Sequence, residues 1–187
     1  MKRLLSLLVA LAVMLASVAP AVAETTLEKI ARTGTLTIGT RTGSPPFAYV
    51  NKQNEWVGFS IDLVEQLILP AVSNKVGKPV KLEKKESTPA TRIPLLSSGA
   101  VDLIAGTMTD TRPRRDSVDF SLTFFVTGAQ FLVKKGSPIK GIQDIGGKRV
   151  GAQQGSTNAR IIRERVANVQ LREFPDQPSG FQALAQG

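Results

Sequence analysis

The amino-acid sequence predicts an α/β fold divided into two lobes. Apolar strands alternate with amphipathic helices, which is the pattern of a layered fold with parallel strand pairing. The pattern starts again after the extended run "GAQFLVKKG", so a second unit follows the first. The chain has 187 residues and 42% of them are hydrophobic, enough to build a core. We therefore predict lobe 1 over residues 24–131 and a partial lobe 2 over residues 132–187.

The predicted elements of lobe 1 follow from the spacing of apolar residues and from turn and capping residues. Ser60 is a candidate N-cap for the longest helix, because its hydroxyl can accept from a free backbone N–H. That helix carries an apolar stripe over Ile61, Val64, Leu67, Ile68, Ala71 and Val72, and Pro70 should kink it. The other elements are a helix from about Thr26 ended by Gly34, a strand over 35–38, a hairpin turning at 51–54, a strand in "PVKLEKKE", a short helix in "TRIPLLSSG" and a strand in "VDLIAG".

Lobe 2 is predicted to hold two strands, "KRVGAQ" and "VQLREF", each followed by a helix. A two-stranded lobe is too small to bury both faces of its sheet. We therefore expect apolar residues such as Val150 and Leu171 to be short of cover. The pattern predicts a second lobe that is incomplete in a truncated chain.

The first 23 residues are predicted to be a cleaved export signal. Lys2 and Arg3 precede an apolar run, and Ala21-Val22-Ala23 forms a small-residue end that suits signal peptidase. A membrane anchor is the alternative, but the unbroken run is shorter than the roughly 20 residues of a spanning helix. Cleavage after Ala23 predicts a periplasmic protein. It also removes two positive charges from the formal net charge of +9, leaving +7.

Composition excludes several classes of function. The chain has no histidine and no cysteine, so Ser-His-Asp and Cys-His catalytic sets, disulfides and zinc ribbons are ruled out. The basic residues form no long stripe and aromatic residues are only 5%, which argues against nucleic-acid binding. We predict no catalytic residues, no metal and no cofactor.

Hydroxyl and guanidinium side chains follow three of the predicted strands. In open α/β sheets, ligands bind beyond the carboxyl ends of parallel strands, so these loops should meet at one edge. Arginine binds a carboxylate through two parallel N–H donors and keeps its charge at neutral pH. The sequence therefore predicts a site for a small molecule with one or two carboxylates. The residues are Thr40 to Thr42 around Arg41, Thr88 to Arg92, Thr107, Thr109 and Arg114, with Phe47 and Tyr49 as an apolar wall.

Each of these signals also has a purely structural interpretation. Arg41 can be a solvated loop residue, Arg92 can pair locally, and Phe47 can belong to the core. The arginines of "RPRR" cannot all face one pocket, so at least one of them is exposed. "GST" at 155–157 opens a helix, and it is either a cap or an anion site at the helix N-terminus.

Several stretches together resemble one family. They are "GTLTIGTRTGSPPFAYV", "WVGFSIDLVEQL", "TRIPLLSSGAVDLIAGTMT", "RRDSVDFS", "FLVKKGSPIKGIQDIGGKRVGAQQGST" and "FQALAQG". The chain resembles the bacterial extracellular solute-binding proteins of family 3, the amino-acid receptors of ABC importers, and within them the glutamate/aspartate-binding branch. The resemblance implies a two-lobed periplasmic-binding-protein type II fold, a monomer, an acidic amino acid as ligand and an ABC permease in the inner membrane as partner.

The resemblance also implies roles for individual residues. Arg114 is the arginine six positions before the Phe of "DFS", and the family's pattern gives that position the α-carboxylate of the ligand. The remaining implied roles are hydroxyl or backbone bonds from Thr107 and Thr109, contact with the side-chain carboxylate from Arg41 and Arg92, and closure from lobe 2 by Ser156 and Thr157.

Two other functions stay open on this fold. One is a periplasmic dehydratase acting on a cyclic carboxylate, and the other is the sensor domain of a longer membrane receptor. The sequence also leaves the identity of the ligand open. Pro113 stands where the family usually has Glu, and Pro89 stands where the glutamate branch often has Ser, so glutamate, aspartate and glutamine remain candidates.

Overall fold

The computed structural model describes residues 24–187, and the predicted export signal lies outside the described residues. Two separate apolar clusters hold the described chain together. The larger cluster is centred on Ile38 and Ile61, and the smaller on Ile145 and Ile162. We call the regions around them lobe 1 and lobe 2. Within residues 24–187, no helix is both long and apolar enough to cross a membrane.

Lobe 1 contains a parallel sheet, a small antiparallel sheet and the helices that cover them. Its elements in chain order are α1 (Thr26–Thr33), β1 (Thr35–Thr40), β2 (Gly43–Ser44), β3 (Ala48–Val50), β4 (Trp56–Val57), α2 (Phe59–Leu63), α3 (Leu69–Val76), β5 (Lys81–Glu86), α4 (Arg92–Ser97), β6 (Leu103–Ala105) and α5 (Arg112–Arg115).

The parallel sheet has the strand order β5-β1-β6, with β1 in the centre. Every residue of β1 after Thr35 is buried, as expected for a strand with neighbours on both sides and cover on both faces. Thr40 pairs with Glu86 on one side and with Ala105 on the other. The three strands therefore end at the same edge, which confirms the prediction that their following loops meet there.

Asp102 ties α1 to the parallel sheet. One carboxylate oxygen accepts from Lys29 Nζ at 2.8 Å, and the other accepts from the backbone N–H of Thr37 at 2.9 Å. The side chain of Asp102 is only 3% exposed. A buried carboxylate with both oxygens bonded fixes the entry to β6 relative to β1.

The N-cap prediction for Ser60 was wrong. The helix begins at Phe59, and the Ser60 hydroxyl is buried without a hydrogen-bond partner among residues 24–187. The backbone N–H groups of Phe59 and Ser60 instead donate to the carbonyls of Pro46 and Phe47, at 3.0 and 2.8 Å. Because the preceding loop satisfies these groups, no side-chain cap is needed.

The apolar stripe of this helical segment was only partly correct. Ile61 and Val64 are buried, but Leu67 is 62% exposed. A π-helical turn over Val64–Ile68 separates α2 from α3 just before Pro70, whose missing N–H had predicted an interruption here. The wider turn changes the angular spacing of residues and rotates Leu67 towards solvent.

Lobe 2 contains two parallel strands in register, with Gln153 opposite Phe174 at their carboxyl ends. Val150 is 9% exposed and packs with Ile145 and Ile162, so the expectation that Val150 lacks cover was wrong: the helix after its strand and the preceding loop bury it. The elements are a 3-10 turn (Ile142–Asp144), β7 (Arg149–Gln153), α6 (Thr157–Arg165), β8 (Gln170–Phe174) and α7 (Gln177–Gln186).

Candidate functional site

Arg41 lies directly after β1 and is buried, with 8% of its surface exposed. Its Nη2 donates to Oε1 of Gln153 in lobe 2 at 2.6 Å. Burial lowers the pKa of Arg41, and the carboxylate of Asp176 opposes that shift. Arg41 is therefore not a solvated loop residue, because it reaches across to lobe 2.

Arg92, the first residue of α4, is 4% exposed. Its Nη1 donates to the carbonyl of Thr107 at 3.0 Å, whereas its Nε has no partner among the described residues. Burial, followed by the positive charges of Arg114 and Arg41, lowers the pKa of Arg92 to about 9. Arg92 is therefore positively charged at neutral pH in a site shielded from water, where few groups offset the cost of burying its charge.

Arg114 is the half-buried arginine of α5. Its Nη1 donates to the carbonyl of Thr109 at 2.7 Å, and its Nη2 donates to the carbonyl of Gly155 in lobe 2 at 3.3 Å. Burial and then the charge of Arg160 lower the pKa of Arg114. Arg112 and Arg115 are exposed, and Arg115 pairs with Asp110. Of the three arginines in "RPRR", only Arg114 therefore points inward, in agreement with the expectation that the three could not all face one pocket.

Thr107 and Thr109 take part through their backbone. Both residues are exposed, and their carbonyl oxygens accept from Arg92 and Arg114 respectively. The loop after β6 therefore orients two guanidinium groups.

Ser156 and Thr157 open α6 in lobe 2. The Ser156 hydroxyl accepts from the backbone N–H of Ala159 at 3.1 Å, so it acts as the helix N-cap. A cavity of about 310 Å³ lies between α5 and α6. Its lining includes Arg114, Gly155, Ser156, Thr157 and Arg160. The structure thus brings together the predicted residues of lobe 2 and Arg114, while Arg41 and Arg92 do not line this cavity.

Phe47 belongs to a group of aromatic rings. Its ring meets the edge of Phe125 with centroids 4.7 Å apart, and it meets Phe59 at 6.3 Å. Phe59 in turn contacts Phe124 at 6.0 Å. The packing interpretation accounts for the contacts that Phe47 makes here.

Arg41, Arg92 and Arg114 share one electrostatic environment, since the charges of the other two both lower the pKa of Arg92. Within residues 24–187, none of the three forms an ion pair with a carboxylate. Residues 24–187 also contain no group of three or more acidic side chains placed to hold a metal ion. Buried guanidinium groups with spare donors can bind one or two carboxylates.

Sequence reasoning missed three residues at this site: Gln153, Arg160 and Asp176. Gln153 ends β7, so the rule about carboxyl ends of strands could have found it. Arg160 lies one helical turn after the "GST" stretch and lines the same cavity as Arg114. Asp176 caps α7 by accepting from Ser179 N at 2.8 Å, and only the fold shows that it lies near Arg41.

The sequence profile of the family described as "Bacterial extracellular solute-binding proteins, family 3" matches residues 36–183. The chain belongs to this family. Its two-lobed α/β architecture is the periplasmic-binding-protein type II fold, as the family resemblance implied.

Curated relatives of this family member carry names that differ in ligand. The glutamine-binding protein of Geobacillus stearothermophilus is 39% identical over 87% of this chain and 61% of that protein. The glutamate/aspartate import solute-binding protein of Salmonella typhimurium is 35% identical over 90% of this chain and 57% of that protein. The chain thus spans about 60% of the length of the curated relatives it matches.

Solved structures share the fold. An ancestral arginine-binding protein bound to glutamine matches with a TM-score of 0.74 and 38% identity, over 82% of this chain and 66% of that one. An ancestral amino-acid-binding protein described as a precursor of cyclohexadienyl dehydratase matches with a TM-score of 0.75 and 32% identity, over 87% of this chain and 70% of that one.

Proposed function

We propose that this family member is a periplasmic receptor for an acidic amino acid, glutamate or aspartate, and that it delivers the ligand to an ABC permease. The observation that supports the proposal is a group of three guanidiniums, with Arg41 and Arg92 buried and Arg114 half-buried, none of which forms an ion pair with a carboxylate of residues 24–187. Buried charges in proteins are normally paired. A ligand with two carboxylates supplies the missing partners.

In the proposed binding mode, Arg114 holds the α-carboxylate. It lines the cavity between the lobes and is already oriented by the carbonyl of Thr109. Ser156 and Thr157 contact the ligand from lobe 2, where the N-terminus of α6 adds a partial positive charge. The α-carboxylate is common to all amino acids, so this half of the site recognises the class.

The side-chain carboxylate is assigned to the positive potential of Arg92 and Arg41, with Phe47 as an apolar wall. Three charge-assisted contacts of about 1.5–3 kcal/mol each give roughly 5–9 kcal/mol. A binding free energy of about 8 kcal/mol corresponds to a dissociation constant of about 1 μM.

Calorimetric titration with glutamate, aspartate and glutamine tests the ligand class. We expect the two acids to bind more tightly than glutamine, and their advantage to shrink as salt rises, because salt weakens charge–charge attraction. Tighter binding of glutamine at low salt would reject the acidic assignment while leaving an amino-acid receptor in place.

Export to the periplasm is part of the proposal. It is supported by the predicted signal over residues 1–23, which the described residues do not include. N-terminal sequencing of the exported protein should begin at Glu24. Recovery of the uncleaved chain in the membrane fraction would instead favour an anchored protein, such as the sensor domain of a membrane receptor.

Transport follows from closure in this proposal. A ligand that contacts both lobes favours the closed form, and the closed form of a monomeric receptor is what a permease would meet.

The likeness to a dehydratase precursor makes an enzyme the second candidate. In this chain the carboxylate that lines the cavity, Glu173, accepts from Arg163 at 2.8 Å. Unchanged amino acid after prolonged incubation is the expected result, and conversion of a cyclic carboxylate would favour the enzyme.

A further inference from the structure

Gln153 is held at both ends of its side-chain amide. Its Oε1 accepts from Arg41 Nη2 at 2.6 Å, and its Nε2 donates to the carbonyl of Pro175 at 3.0 Å. The second bond fixes the orientation of the amide, because only Nε2 can donate to a carbonyl. The oxygen is therefore presented to lobe 1, where Arg41 is 8% exposed.

Other contacts cross between the lobes beside this pair. The Ser44 hydroxyl and Oε1 of Gln177 lie 3.1 Å apart, and Arg114 Nη2 donates to the carbonyl of Gly155. The Asp176 carboxylate lies near enough to Arg41 for each charge to affect the other. Lobe 2 thus offers Arg41 both a neutral acceptor and a negative charge.

Arg92 differs from Arg41 in this respect. Its one side-chain hydrogen bond among the described residues goes to the carbonyl of Thr107 within lobe 1, and its Nε is unpartnered. The two arginines therefore have unequal capacity for a ligand, since Arg41 is already engaged by lobe 2 and Arg92 is not.

We propose that Gln153 is a positioning residue that sets ligand specificity by holding Arg41 in the contact between the lobes. Arg41 then stabilises closure, and Arg92 is the guanidinium that meets the side-chain carboxylate. This inference rests on the proposed amino-acid receptor function, and it narrows the contact with the side-chain carboxylate from Arg41 and Arg92 together to Arg92 alone. It makes the residue at position 153 a determinant of the preference between acid and amide ligands.

Closure is tested first, without ligand. The chain contains no cysteine, so Lys52→Cys in lobe 1 and Arg165→Cys in lobe 2 introduce unique sites for spin labels. Both positions are exposed. The distance between the labels should lengthen and its distribution broaden in Gln153→Ala, and should stay as in the parent in Gln153→Glu, whose carboxylate can pair with Arg41. Gln154→Ala is the matched control, because Gln154 is exposed and next in sequence.

Specificity is tested second, as the ratio of glutamate to glutamine affinity. Gln153→Ala frees Arg41 for the ligand and should raise the ratio, whereas Gln153→Glu neutralises Arg41 and should lower it, each by about tenfold. The control variant should leave the ratio unchanged. An unaltered distance in Gln153→Ala, or an unaltered ratio in both variants, overturns the inference. Absence of amino-acid binding by the unsubstituted protein overturns the proposed function instead, and the distance measurement still decides whether Gln153 holds the lobes together.

Discussion

Gly155 of lobe 2 lies directly against Ala90 of lobe 1. A Cβ added to Gly155 would stand 2.8 Å from the Ala90 Cα and 2.9 Å from its backbone nitrogen. Gly155 also has φ of +69°, in the left-handed region that glycine adopts most easily. Position 155 therefore has two requirements for glycine, one from its own backbone and one from the opposite lobe.

Gly155→Ala should hold the lobes apart and weaken binding of every ligand, because backbone atoms cannot move aside as a flexible side chain can. Gly147→Ala separates the two causes. Gly147 has the same φ of +69°, but a Cβ there would meet nothing within 4 Å among residues 24–187. Both variants should lose about 1 kcal/mol of stability from the strained backbone. Only Gly155→Ala should lose ligand affinity in calorimetry, and equal affinities for the two variants would contradict the prediction.

Arg114→Ala should abolish binding of all α-amino acids, since the α-carboxylate is common to them. The expected loss is at least about 2–4 kcal/mol, because removing one partner of a desolvated charge pair strands the other. Arg112→Ala is the control, as Arg112 lies in the same short helix but is exposed. Wild-type affinity in Arg114→Ala would show that the α-carboxylate binds elsewhere.

Arg92→Met should weaken glutamate and aspartate far more than glutamine, because only the acids carry a side-chain charge. Arg165→Met removes the same charge from an exposed position and should shift all three affinities slightly and equally. Calorimetric titration of both variants measures the effect. Equal loss of the three ligands in Arg92→Met would show that Arg92 does not select the side chain.

Arg92 should also cost stability in the ligand-free protein. Its pKa falls on folding from its ordinary value to about 9, so between about pH 9 and that ordinary value the unfolded chain binds more protons and stability rises with pH. Below about pH 9 the full cost is present, and Arg92→Met should raise the free energy of unfolding by about 1–3 kcal/mol at pH 7. Denaturant unfolding at pH 7 and pH 10 should show this advantage shrinking at the higher pH, and a constant advantage would reject the charge as its cause.

Asp102→Ala should destabilise lobe 1 without touching the site. It leaves Lys29 and the N–H of Thr37 without their carboxylate, at a cost of about 1–3 kcal/mol. Glu83→Ala breaks the exposed Lys81–Glu83 pair and should change stability by about 0–1 kcal/mol. Comparable unfolding midpoints for the two variants would show that Asp102 is not a structural tie.

The order of the elements, and the sheet edge at which their polar loops lie, could be predicted from the sequence. Parallel strands must end on the same side, so Arg41, Arg92 and Thr107 could be assigned to one edge from strand positions alone. The end of the first helix was predictable at Gly34, whose left-handed backbone lets its own N–H donate to the carbonyl of Ile30, because such a cap depends only on neighbours in sequence.

Which polar groups bond to one another across long separations in sequence depended on how the elements pack in three dimensions. Ser60 does not cap its helix, because carbonyls from the preceding loop accept from the first backbone N–H groups of that helix. Leu67 is exposed because it lies in the π-helical turn. Arg41 and Gln153 are 112 positions apart, and no local propensity links them. Their bond forms because the packing of two separate apolar cores brings a buried donor and a fixed acceptor together between the lobes, and buried polar groups are normally hydrogen-bonded.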